Sequence, residues 1–165
     1  MAEYIEMVIC SFLTSYGLAV VFRIDRKNLL RAGLGGALTR VIYLIMLEAT
    51  SLTVVQSFVA ATCAALYAEL MAMRRRMPST VFLYPSILPL IPGGTLYYIA
   101  IYAIMGDLSM TISYVWECVL QLSGMCMGFV IISTFTYYRR IYYLGAHLEA
   151  FLKRSFRSLT ERAGH

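Results

Sequence analysis

Charge is scarce in this chain. Asp, Glu, Lys and Arg make up 14% of its 165 residues while 60% are hydrophobic, whereas a soluble domain carries about 25% charged residues. That deficit excludes a water-soluble enzyme and points to the membrane class. Histidine is nearly missing, with only His147 and His165 in the tail and no HExxH, so zinc chemistry has no ligands to work with. The four cysteines, Cys10, Cys63, Cys118 and Cys126, fall inside apolar runs without a C-x-x-C spacing, which argues for packing rather than metal or redox work. No Gly-rich loop ends in Lys-Ser or Lys-Thr, which excludes nucleotide-driven pumping by this chain. No cofactor is implied. At its N-terminal end the first apolar run has only Glu3 and Glu6 and no basic residue, so it lacks the basic flank of a cleavable signal and reads as a retained span.

What is present is apolar sequence in five long runs, at about 4–22, 29–47, 52–73, 81–105 and 110–138. Each is long enough to cross a bilayer as a helix of roughly 20 residues. The expectation is an all-α polytopic membrane protein with a transmembrane domain over 1–140. Thirteen of the fourteen basic residues, all but Arg40, set its orientation. Arg23, Arg26, Lys27 and Arg31 lie at the first connection, Arg74, Arg75 and Arg76 at the third, and Arg139, Arg140, Lys153, Arg154, Arg157 and Arg162 beyond the fifth run. The other connections carry only Glu48 and Asp107. Because Lys and Arg mark the cytoplasmic side, five spans with the N-terminus outside and the C-terminus inside satisfy every loop. The net charge of +5 then needs no nucleic acid, since anionic headgroups face it. The tail, 141–165, spaces Ile141, Leu144, Leu148, Phe151, Leu152, Phe156 and Leu159 as one face of an amphipathic helix, on the inner membrane surface or docked on a partner. The alternative is a frayed continuation of span five.

Proline is confined to one place. All four prolines lie in Pro78–Met105, three of them inside the apolar run at Pro85, Pro89 and Pro92, and Gly93 and Gly94 follow directly. Each interior proline removes a donor and crowds the carbonyl four residues back, so a continuous helix is not expected. Gly93 is the midpoint of 81–105, which puts the break near the bilayer midplane. Non-helical backbone at that depth survives only when protein buries it or it lines a watery cavity. Secondary transporters use such broken helices at their binding sites, with a half-helix N-terminus aimed at an anion. Pro89, Pro92, Gly93, Gly94 and Thr95, with Thr95 as N-cap or ligand, are therefore the candidate carboxylate site. The competing reading is a packing kink.

Two charges lie within spans. Arg40 in the second and Glu117 in the fifth are each six or seven residues from the outer end of their runs, a shared depth of roughly 10 Å at 1.5 Å per residue. They are expected to pair if the spans are adjacent. Functionally, Arg40 would attract an anionic substrate, and Glu117 would bind an ammonium or carry a coupling proton. Gln121, one turn deeper, extends this polar track toward the break. Glu69 and Arg31 look like an interface anchor. Small residues at Gly33, Gly36 and Ala37, along Ala61–Ala68 and at Gly124 and Gly128 allow close helix contacts; the last pair, a GxxxG, is also the pattern of a dimer seam.

The string PSTVFLYPSILPLIPGGTLYY with a following Gly-Asp, over Pro78–Asp107, resembles the signature of the threonine/serine exporter family, and more closely its short five-span subunit. Ile87–Gly93 is the specific part, and the basic turn before Gly33-Leu-Gly-Gly36 and Arg40 is similar too. The resemblance implies a bacterial inner-membrane secondary exporter, driven by the proton-motive force and working with a companion subunit that supplies another membrane half. It implies threonine or serine as substrate, or in two-subunit members a dicarboxylate such as succinate. The long basic tail departs from the family's short ending. A non-transporting scaffold subunit is the rival; an intramembrane enzyme is disfavoured, because the spans hold no histidine and no paired aspartates. Five spans are few for a carrier built from repeats, so a companion or a homo-oligomer is expected under either leading reading.

Overall fold

A computed structural model describes the backbone of residues 2–163 and the side chains of 3–139. Every regular element among them is helical: α1 (Ala2–Val21), α2 (Arg26–Ala49), α3 (Thr53–Arg75), α4 (Thr80–Ile87), α5 (Gly93–Met105) and α6 (Leu108–Ala163), with a 3-10 turn at Leu88–Leu90. Four of these helices are long and apolar enough to cross a membrane, and α4 and α5, bent by 45° at the break between them, pass the same test as a pair, the pattern of a broken span or a re-entrant loop. The chain is an all-α polytopic membrane protein. It falls into two compact units, Met1–Ile132 and Ser133–His165. The second consists of the C-terminal part of α6 and the chain end. The amphipathic face expected for 141–163 belongs to side chains outside the described residues.

The helix ends follow local chemistry. Gly106, at φ +78°, closes α5 with its amide bonded to the Tyr102 and Ala103 carbonyls, a left-handed position that glycine fills without a Cβ clash. Asp107 then starts α6, its Oδ1 accepting the Met110 amide at 3.1 Å. At the basic ends of α1 and α3 the same left-handed turn is made by arginine, Arg23 and Arg76, each at φ +54°. For a residue with a Cβ that conformation costs about 1 kcal/mol.

Packing is built from small residues, because lipid is as apolar as a leucine side chain and close contact must supply the attraction. α2 is the hub, touching α1, α3 and α4. Its Gly36 lies against Ser15 and the Ser11 carbonyl of α1, its Gly33 against the Phe12 ring, and its Gly35 against Ser86 of α4 and Tyr67 of α3. α3 buries Ala60, Ala61, Ala64, Ala65, Ala68 and Ala72 along one face. α6 meets α3 through Gly124 and Gly128. A methyl group on Gly124 would collide with the Val54 carbonyl, and one on Gly128 would sit 2.7 Å from the Phe58 carbonyl oxygen. The GxxxG thus meets α3 of the same chain. Outward faces carry Ile5, Ile9, Leu13, Leu34, Ile45 and Val130, all exposed, as lipid contact requires.

Candidate functional site

The break follows from the prolines one by one. Pro85 sits inside α4 and Pro89 inside the 3-10 turn. Pro92 forces the residue before it out of the helical region, and Ile91 is extended at φ −60°, ψ 127°. The Ile91 amide falls back onto the Leu88 carbonyl at 3.2 Å. α5 restarts with Pro92 as its N-cap and no side chain capping it. The expectation of Thr95 as the cap is therefore corrected: Pro92 fixes the start, and Thr95 lies in the first turn.

The two sides of the break differ. On one, the 3-10 turn touches α1, α2 and α3, and Leu90 is buried with Ala60, Ala61 and Met125, against Ile42, Tyr43 and Ile87. Here Gln121 of α6, buried, donates from Nε2 to the Leu90 carbonyl at 3.1 Å. The polar track expected from its spacing does reach the break, as a hydrogen bond to freed backbone. On the other side Gly93 and Gly94 are exposed, with open space where a side chain would project. Neither has positive φ, so their smallness here is about access rather than conformation. The Gly93 amide turns back to Ile91, and the Leu96 amide bonds to Pro92. The amides of Gly94 and Thr95 find no acceptor among the described residues. In hydrocarbon such groups must be covered by protein, water or ligand.

Arg40 and Glu117 are not paired. Each lies nine residues from its helix end, α2 at Ala49 and α6 at Leu108. Yet Arg40 turns toward α1 and its own helix. Its Nη2 lies 3.5 Å from the Met7 sulfur, its guanidinium carbon 5.6 Å from the Tyr43 ring centre, and its buried Nε has no acceptor. Glu117 is exposed and has no cationic partner among the described residues. Position along a helix is legible in a sequence; the azimuth around the axis is not. An unpaired charge at the centre of a membrane helix costs about 3 kcal/mol, so each needs a reason to be there. The Arg31–Glu69 anchor is likewise absent, for Arg31 bonds to the Lys27 carbonyl at 2.6 Å and to Asn28 Oδ1 at 2.9 Å.

Tyr43 is the residue that sequence reasoning missed. It packs on the Leu90 cluster, lies under Arg40, and is within electrostatic reach of both Arg40 and Glu117. A tyrosine in an apolar run reads as an interfacial anchor, and its sequence neighbours, Val41, Ile42, Leu44 and Ile45, are all aliphatic and give no other signal. Beyond the break, Tyr114 of α6 stacks on Tyr98 and Tyr102 of α5, each at 5.4 Å between ring centres. A separate groove of about 400 Å³ between α1 and α2 is lined by Ile5, Val8, Ile9, Val41, Leu44 and Ile45. Its polar neighbours Tyr4 and Glu48 are bonded to each other at 2.7 Å, so it offers nothing to a carboxylate.

Comparison with known proteins gives one family. A family model described as threonine/serine exporter, ThrE, matches residues 7–135, which take in most of α1, all of α2 to α5, the break, Arg40, Glu117 and Gln121. Neither the curated proteins nor the solved structures include a match. The match covers most of the chain and includes the interrupted span that sets this fold apart, and so the chain belongs to the threonine/serine exporter family.

Proposed function

We propose that this chain is the membrane subunit of a secondary exporter for small carboxylate-bearing metabolites, threonine and serine or a dicarboxylate such as succinate, and that a larger companion subunit or a second copy completes the transport path. The observation that carries this reading is the one-sided break: Leu90 and Pro92 are buried, while Gly93, Gly94 and two unsatisfied amides stand open. Backbone donors at a half-helix N-terminus favour an anion, and a carboxylate on its way out of the cell is the anion proposed. Substrate would bind at Pro89–Thr95, drawn in by Arg40, with Gln121 holding the turn in shape. Alternating access would come from movement of α5 and its partner about this point. The membrane is proposed to be the bacterial inner membrane, with the N-terminus outside and the C-terminus cytoplasmic, from the arginines at the ends of α1 and α3.

Gly93→Leu tests it. The variant has room within this chain, so normal membrane insertion with export lost is the expected result. Unchanged export would remove the site. A scaffold role is favoured by a different fact, that α5 buries no residue within the chain. Substituting Thr95 and Arg40 separates the two readings: a scaffold loses complex formation, whereas a carrier changes rate or selectivity.

A further inference from the structure

The first and third connections are far apart in the sequence and meet at one end of the bundle. Asn28, in the first turn of α2, is buried, and its Nδ2 donates to the sulfur of Met77, just past α3, at 3.1 Å. Its Oδ1 accepts from Arg31 Nη1 at 2.9 Å, so one side chain ties the two connections and fixes a guanidinium. A second tie joins Phe22, at the end of α1, to Tyr84 of α4, with ring centres 6.1 Å apart. Six more cations stand at these connections, Arg23, Arg26 and Lys27 at one and Arg74, Arg75 and Arg76 at the other, all exposed, with Asp25 as the one carboxylate there. None of the six has an anionic partner among the described residues.

Orientation explains why cations occupy each connection, but it asks only that they be present. It gives no reason to tie two basic sets together, because like charges repel and one carboxylate does not offset six cations. A bound anion does. Arginines at a membrane boundary suit phosphate, which they grip with paired N–H groups. The surface alongside is apolar, with Val21, Phe22, Leu30 and Tyr84 exposed, as acyl chains below a headgroup require and a free phosphate does not.

We infer that the tied connections bind an anionic phospholipid with two phosphates, of the diphosphatidylglycerol class. One phosphate sits on Arg23, Arg26 and Lys27, the other on Arg74, Arg75 and Arg76, and acyl chains lie against Phe22 and Tyr84. Asn28 is a positioning residue that keeps the two basic sets together, so that the first phosphate delivers the second at high effective concentration. This site uses none of the residues of the break and stands apart from the exporter reading.

The test is lipid binding to the full chain purified in detergent, read by native mass spectrometry and by the rise in thermal midpoint on adding lipid. Diphosphatidylglycerol should bind at least tenfold more tightly than phosphatidylglycerol, which has one phosphate, and phosphatidylethanolamine should not compete. Arg23→Gly and Arg76→Gly should each weaken diphosphatidylglycerol binding at least fivefold with no fall in the lipid-free midpoint, because glycine suits the φ of +54° at both positions. Arg154→Gln with Arg157→Gln, which takes two charges from the tail instead, should leave binding unchanged. A preference of about twofold or less for the two-phosphate lipid overturns the inference, since that is the statistical advantage of a second phosphate without bivalent binding. Loss in the tail variant equal to that at the corners also overturns it, as the mark of net charge alone. So does displacement of the lipid by inorganic pyrophosphate at equal concentration, which would assign the cations to a free anion.

Discussion

The two halves of the fourth span are of one composition and opposite fate. α4 buries Phe82, Pro85 and Ser86 against α2 and α3. α5 buries nothing, and Leu96, Tyr97, Tyr98 and Ile104 stand exposed along it. Apolar sequence alone does not distinguish them, since both would partition into lipid. The difference lies in what each half meets. α4 ends on a glycine of α2, with Ser86 against Gly35, while α5 begins with two glycines that meet nothing. One half is buried in its own chain; the other touches it through the stack of Tyr98 and Tyr102 on Tyr114 and leaves the rest of its surface for a substrate, a partner or the lipid.

The contrast breaks first if the anchored half proves dispensable. Phe82→Ala should cost about 3 kcal/mol of stability, read as a fall in thermal midpoint in detergent, because Phe82 is fully buried with Ala68 and Ala72. A shift no larger than that of an exposed α5 residue would erase the distinction. Gly124→Leu should come next, at about 2 kcal/mol or more, since its side chain would drive against the Val54 backbone, which cannot rotate away. Gln121→Leu should cost about 1–2 kcal/mol by stranding the Leu90 carbonyl, and hydrogen exchange should quicken at 88–92 rather than throughout the chain. At the bottom of the scale, Tyr97→Ala should change the stability of the lone subunit by less than about 0.5 kcal/mol. The same substitution should weaken the assembled complex if a partner covers α5, and a co-purification assay reads that directly.

The sequence made the helices and the interruption legible for a simple reason. Hydrophobic length sets a span, and proline acts on its own backbone, so Pro85, Pro89 and Pro92 could be placed without knowing any neighbour. What it did not reveal depends on rotation about helix axes. Arg40 and Glu117 each sit nine residues from a helix end yet do not pair, and Arg31 chose Asn28 over Glu69. Gly124 and Gly128 announced a close contact without saying with what, and the answer was α3. Tyr43 carried no signal because its role arises only when α2 brings it beside Leu90 and beneath Arg40. Thr95 looked like a cap because threonine usually is one, but Pro92 had already settled where the turn begins.

Arg23 and Arg76 hold a backbone shape in which a residue without a side chain would rest more easily. Exchanging either for glycine should relax the turn by about 1 kcal/mol. The chain nevertheless keeps a full positive charge at both corners, on the same face of the bilayer by helix count. If positive charge at those two corners sets the orientation, an engineered chain with glycine at both should fold more firmly but insert with less regard for which way up it lies.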